Sequence, residues 1–382
     1  NGNNELIMAT YKQIFGKQVK FLSSDPANEG EGQIWFNSTS NTFKSVVNSG
    51  SWSSSAPITT ARSQTAGTGI QTAALLMAGS TPPYPTVSAV VEQYNGTGWA
   101  NETSLPTAVI QGAAAGTTTA ALFTGGFILP PQGQSATYEY DGSTWTSGGA
   151  LNTGRTQLGS GGTQTAAVVF GGSEWGGSPT AATLTEEYNG SWTTGNVMTT
   201  GRYGMMSSNV GTQIASLAIG GGPYTTNVEE YDGTNWSSQS NIPTASDAQS
   251  RFGITTAAIC AGGGPQPVIG NTSFQHDGTT WSATPDMASP RAAQGGSGTT
   301  TAGVIGGAGP FTTNTEEYNV GTTVVVAGAW ASAPALNTAR TLGGSALPAQ
   351  NSGIIFGGSP YTSATEQYNG SAWTTVPGTL NT

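Results

Sequence analysis

Charge is what this chain has least of. Lysine and arginine together number 10 and aspartate and glutamate 20 among 382 residues, or 8% in all, where a soluble domain carries about a quarter. All four lysines, Lys12, Lys17, Lys20 and Lys44, fall within the first 44 residues; from residue 58 onward six arginines accompany sixteen acidic residues. That distribution argues against nucleic-acid binding, because phosphates demand clustered cations. A single cysteine, Cys260, forbids an internal disulfide, and with a single histidine, His276, it forbids zinc sites built from those ligands. No calcium loop, P-loop or G-x-S-x-G motif is present. No run of 18 apolar residues exists, so no membrane-spanning helix is expected, and the opening residues show no signal-peptide pattern. The chain starts at Asn1, and "MATYKQIFG" from Met8 reads as an open-reading-frame start.

What the chain has in plenty is glycine, 57 residues, with threonine, serine and alanine, yet it keeps 10 Trp, 12 Tyr and 11 Phe. Disordered chains are rich in charge and poor in aromatics, so this composition points instead to short strands and tight turns. The aromatics are periodic. "TEEYNGSWTTG" at residues 185–195 returns as "VEQYNGTGWAN" from Val91, "VEEYDGTNWSS" from Val228 and "TEQYNGSAWTT" from Thr365. Three anchors each occur seven times: a glycine pair closing an apolar run (Ala78-Gly79 in the first repeat), an aromatic before a turn (Tyr94, Tyr140, Tyr188, Tyr231, His276, Tyr318, Tyr368), and a tryptophan beyond it (Trp99, Trp145, Trp192, Trp236, Trp281, Trp330, Trp373). One period reads as four strands, with Asn-Gly forming the tight turn between the last two. A sheet of that size cannot bury both faces alone, and a period in the forties with Trp and Gly signatures marks a propeller.

The order of Gly pair, Tyr and Trp resembles the kelch repeat over roughly residues 58–382, with His276 departing from it. The expected fold is all-β: a seven-bladed kelch-like β-propeller, with blades at about 58–105, 106–150, 151–197, 198–241, 242–287, 288–335 and 336–382, and an N-terminal segment 1–57 holding a β-hairpin. Because the chain ends in "LNT", in phase with "LNTAR" at Leu336, blade 7 is expected to pack on blade 1 with no strand borrowed from the N-terminus. The alternative is pairing of residues 48–56 with an edge of the ring, since Trp52 in "GSWSSSAPITTAR" looks like a fourth strand.

Arginine opens five repeats, at Arg62, Arg155, Arg202, Arg291 and Arg340, and the same five carry a glutamate two residues before the aromatic: Glu92, Glu186, Glu229, Glu316 and Glu366. Repeats 2 and 5 lack both, with Val109 and Tyr138, and Ser246 and Phe274, in their places. An ion pair within each of the five blades is predicted, bidentate in form and structural in role.

No catalytic residue, metal or cofactor is expected. One His and one Cys cannot supply a copper site of the kind that galactose oxidase carries on a kelch-type propeller, and His276 reads as filling an aromatic slot. The doublets Glu186-Glu187, Glu229-Glu230 and Glu316-Glu317 leave glycoside hydrolysis open, though their repetition favours structure. Sequons such as those at Asn95 and Asn189 coincide with blade turns. The candidate ligand-binding residues are aromatics in the loops after the Gly pairs: Tyr84, Trp175, Tyr224, Phe311 and Tyr361. The phrase "GQIWFNSTSNTFK" resembles one found in tail-fibre and other virion proteins of tailed phages. Together these imply a non-enzymatic virion protein, extracellular or in the particle, joined to other virion proteins through residues 1–57, with host-surface glycan as the expected ligand and a homo-oligomer as a possible state. A secreted glycan-binding lectin and an intracellular interaction scaffold are the alternatives.

Overall fold

The computed structural model describes residues 20–23, 34–39, 42–129, 132–174, 180–205, 208–264, 269–309, 311–327, 344–349, 352–356, 365–368 and 372–376. Among these every regular element is a strand. The chain divides into two units, Ser49–Thr322 and the remainder, Asn1–Asn48 with Thr323–Thr382.

The larger unit is built from the repeat. In the first blade, Ala66–Ile70, Ala73–Met77, Val91–Tyr94 and Trp99–Glu102 form one antiparallel ladder. The inner strands of the next five blades are Ala113–Thr117, Gly159–Gly162, Ser208–Thr212, Ser250–Ile254 and Gly295–Gly298. The second strand of each is the apolar one, as in Ala167–Phe170 and Ala257–Ala261. Its side chains are buried against the neighbouring sheets, as the cluster of Val210, Leu217, Ile219, Cys260 and Phe274 shows for blades 4 and 5. Burying those faces is what drives sheet onto sheet.

Six sheets close the circle. Two or three residues before each inner strand, a backbone N–H donates to the preceding blade: Gln111 N to Gln64 O (3.0 Å), Gln157 N to Gln111 O (2.8 Å), Met205 N to Gln157 O (3.1 Å), Ala248 N to Gly204 O (2.9 Å), Ala293 N to Ala248 O (2.8 Å) and Gln64 N to Ala293 O (2.6 Å). The last bond returns to the first residue. The same junction repeats in side chains. The Gln164 amide donates to Ala121 O and Tyr140 O, and that of Gln213 to Ala167 O and Tyr188 O. The Gln71 amide donates to Gly303 O and Tyr318 O, joining blade 1 to blade 6 as the others join their neighbours.

This corrects the expected seven-bladed ring and its closure without an N-terminal strand. The sixth sheet takes Thr42–Ser55 as its outer strand, beside Thr315–Ala327, so the alternative pairing of residues 48–56 is the one adopted. Trp52 stands where the repeat tryptophans stand. Its ring lies 5.1 Å from that of Tyr318, and its Nε1 donates to Ser273 Oγ at 3.0 Å, as Trp192 does to Thr137 Oγ1 and Trp236 to Thr185 Oγ1. Gly50 lets the strand approach, since a Cβ there would fall within 2.3 Å of the Tyr318 ring. The physical cause is local. Five blades turn at Asn-Gly or Asp-Gly directly after the aromatic, but repeat 6 reads Tyr318-Asn319-Val320-Gly321. With that turn broken by Val320, the third strand runs on to Ala327 instead of folding back.

The seventh repeat forms its own four-stranded sheet, Gly344–Ala349, Ser352–Phe356, Thr365–Tyr368 and Trp373–Thr375, within the other unit. Of the N-terminal hairpin, Ile34–Asn37 pairs antiparallel with the start of Thr42–Ser55, and Lys20–Leu22 adds in parallel. The boundary expected at residue 58 therefore falls inside the closed unit. Replacing Trp52 by Ala is expected to cost about 3 kcal/mol, as much as Trp236→Ala, in urea unfolding of the full chain. A variant as stable as the parent would show that residues 49–55 do not seal the ring.

Candidate functional site

Each repeat arginine lies in the segment entering its blade and points back under the loop between second and third strands. Arg62 Nη2 meets Glu92 Oε1 at 2.8 Å, Arg155 meets Glu186 at 2.7 Å, Arg202 meets Glu229 at 2.7 Å, and Arg291 pairs with Glu316; all eight side chains are 3% exposed or less. The contact is not the bidentate fork expected. Nη1 turns to backbone carbonyls instead, Ala78 O and Val90 O for Arg62, Gly171 O and Leu184 O for Arg155. The second carboxylate oxygen accepts from the entering segment: Thr59 N for Glu92, Asn152 N for Glu186, Thr199 N for Glu229, Ala288 N for Glu316. Several backbone groups are thus tied to each buried charge pair, which offsets the cost of desolvating it. Burial lowers each of these guanidinium pKa values, opposed by its glutamate. Glu366 is buried, and its counterpart Arg340 lies outside the described residues. In blades 2 and 5 the same space holds Val109 with Tyr138, and Ser246 with Phe274, all buried.

The glutamate doublets divide their labour. The first member holds the arginine. The second accepts the tyrosine hydroxyl of the next blade in two of the three doublets: Tyr231 donates to Glu187 and Tyr94 to Glu317, as Tyr188 does to the single Glu139. Glu230 of the remaining doublet takes the Gln239 amide at 2.8 Å. Burial, with Glu139 accepting, pushes the Tyr188 hydroxyl up to about 12. His276 fills the aromatic slot of blade 5, its ring 4.8 Å from Trp281 and its Nδ1 3.1 Å from Thr255 O. The turn asparagine Asn95 accepts from Thr97 N and Gly98 N through its own side chain. Among the described residues, no three of His, Cys, Asp and Glu gather as a metal site would need.

One charged residue was not foreseen. Arg251, in the inner strand of blade 5, is fully buried, and its Nη1 donates to Gln249 O at 3.1 Å, while Nε and Nη2 have no hydrogen-bond partner among the described residues. Burial lowers its pKa to about 10 and raises the facing Cys260 thiol to about 12. Burial also raises the Asp247 carboxyl to about 6, against the pull of Arg251. Only its departure from the repeat pattern marked Arg251 in the sequence.

The ladder sends the loops between second and third strands to one end of the ring, with the entering segments. There Tyr84 is 61% exposed, and its ring lies 6.5 Å from Phe311 at 33°. These two belong to blades 1 and 6, which are neighbours only because the ring closes at six. Two residues beyond Phe311, Thr313 and Asn314 line a cavity of about 310 Å³ with Ser54, Ser55 and Ser289, floored by the Arg291–Glu316 pair. Tyr224 is exposed on the loop of blade 4. Trp175 and Tyr361 lie outside the described residues.

Two outcomes test these assignments. Arg155→Met, leaving Glu186 buried and unpaired, is expected to cost about 3–5 kcal/mol in denaturant unfolding; Arg155→Val with Glu186→Tyr, the blade 2 combination, recovers most of it. Asp247→Asn is expected to raise the melting temperature at pH 7.5. The unfolded carboxyl ionises first as pH rises past about 4, so the folded chain loses relative stability up to about pH 6, and the gain from Asn vanishes below pH 4.

No protein-family model matches the chain, and no curated protein matches it. Among solved structures 238 chains match; one, described as "Structure of YjhT", aligns with a TM-score of 0.55 at 14% identity, covering 68% of this chain and 95% of that one. YjhT is a β-propeller-type protein, and at that identity the likeness establishes a shared all-β, propeller-type fold.

Proposed function

We propose that the chain is a non-enzymatic recognition protein of a tailed-phage virion, a kelch-like propeller that reads host-surface glycan with its loop face. The observation that carries this reading is the exposed Tyr84 beside Phe311, on the loop that continues into Thr313 and Asn314, which line a cavity of hydroxyls and an amide. Aromatic faces stack on the apolar faces of sugar rings, and neighbouring hydroxyl and amide groups meet the sugar hydroxyls. Rigid blades with variable loops suit display and recognition. The virion part of the reading is supported by the resemblance of "GQIWFNSTSNTFK" to phage tail-fibre sequences. Attachment to other virion proteins then falls to the residues before 49, because residues 49–55 belong to the ring.

On a glycan array the full chain is expected to bind, and Tyr84→Ala or Phe311→Ala to weaken binding by about tenfold or more, while Tyr224→Ala leaves it unchanged. Loss in all three variants, or in none, would remove the seam from the reading. Mass spectrometry of purified particles decides the virion half: absence of the chain leaves the secreted lectin, which uses the same aromatic pair.

A further inference from the structure

The opposite end of the ring carries the turns between first and second strands and between third and fourth. These adjoin: Gly233 meets Ile214, Gly278 meets Thr256, Gly142 meets Thr119, and Gly96 meets Thr72, each within about 3.5 Å of an added Cβ. Three isoleucines of this face, Ile70, Ile214 and Ile254, are among the most exposed large apolar side chains of the ring, at 47%, 65% and 50%. The exposed turn aspartates Asp232 and Asp277 stand in turns that adjoin those of Ile214 and Ile254, and Asp141 in the corresponding turn of blade 2. Their carboxylates are kept well below the usual range by backbone N–H groups two and three residues on, such as Thr144 N and Ser143 N for Asp141.

No cation balances them. Residues 49–322 contain five arginines and no lysine, and Arg62, Arg155, Arg202, Arg251 and Arg291 are all 2% exposed or less. Eleven acidic side chains of the same unit are not buried. The ring therefore presents a surface of one sign, with aliphatic groups set among the carboxylates at its turn face. The complementary chemistry is a segment with lysines and apolar side chains interleaved: lysine stems cover aliphatic surface while their ammonium groups reach carboxylates, and the negative field of the ring steers such a cationic segment in. This chain contains one. Residues 11–20, "YKQIFGKQVK", hold Lys12, Lys17 and Lys20 among Tyr11, Ile14, Phe15 and Val19, with no acidic residue.

We infer that the turn face is a docking surface for a second copy of this chain, engaged through that copy's residues 11–20. Because each copy offers both the segment and the face, the association is head to tail. It uses the end of the ring away from Tyr84 and Phe311, so it stands or falls independently of glycan recognition.

Sedimentation velocity of the full chain tests this. Self-association is expected at low salt and is expected to dissolve well above about 0.1 M, where the Debye length falls below 10 Å. Asp141→Asn with Asp232→Asn and Asp277→Asn keeps the turns, since Asn95 caps the equivalent turn of blade 1; it should weaken association by at least about tenfold. Lys12→Glu with Lys17→Glu and Lys20→Glu should abolish it, and mixing that variant with one carrying Asp141→Lys, Asp232→Lys and Asp277→Lys should restore pairing between the two. Circular dichroism confirms that each variant is folded. A chain monomeric at low salt overturns the inference, as does association unchanged in the Asn variant. A monomer that binds polylysine would give the face to another basic partner and overturn the second-copy reading.

Discussion

A four-stranded sheet in water must hide two faces, and everything in the larger unit follows from the way that demand is met. Each sheet lends one face to the sheet before it and one to the sheet after, so stability is shared around a circle and no blade is the last. The six backbone hydrogen bonds running from Gln64 through Gln111, Gln157, Gly204 and Met205, Ala248 and Ala293 are the innermost expression of this. Around them lie three further layers of the same junction: the glutamine amides, the tryptophan indoles and the tyrosine–glutamate contacts. Three of the four layers, backbone, glutamine and tyrosine–glutamate, span the join between blades 1 and 6 in the form they take elsewhere; the indole of Trp99 packs there without a hydrogen-bond partner among the described residues, and Trp52 serves the join between blades 5 and 6.

The arginines of the larger unit all lie inside it. An arginine and a glutamate in each of four blades organise a loop and an entering segment, through their backbone groups, around one buried pair. The surface is left with carboxylates, hydroxyls and a few aliphatic side chains. A low content of ionisable residues thus coincides with a strongly one-signed exterior, because what is scarce is also unevenly placed.

Much of this was legible in the sequence, and the part that was not has a definite cause. The strand order within a blade, the tight turns and the co-occurrence of Arg with Glu are local properties, written in residues a few positions apart or in a comparison among repeats. The number of blades is not local. Counting anchors gives seven, yet the ring closes where a strand first completes the circle. That strand came from Gly50 and Trp52, whose "SGSWSS" matches the outer-strand phrase "NGSWTT". The warning lay in repeat 6, where Tyr318 and Trp330 stand 12 residues apart against four or five elsewhere. The single-pronged arginine contact was also beyond reach, because it depends on carbonyls that only the folded loop brings near. Phe311 and Tyr84 were each legible as loop aromatics; their pairing was not, since it depends on the closure.

The outer strand of the sixth blade comes from before the first repeat, and its neighbour in the ladder is the strand that leaves after the sixth. Entry and exit of the polypeptide therefore share one sheet. Tension applied through the flanking sequences therefore enters the ring at that sheet. Phe311 springs from that same sheet, so a pull on the flanks is felt first beneath one member of the loop-face aromatic pair.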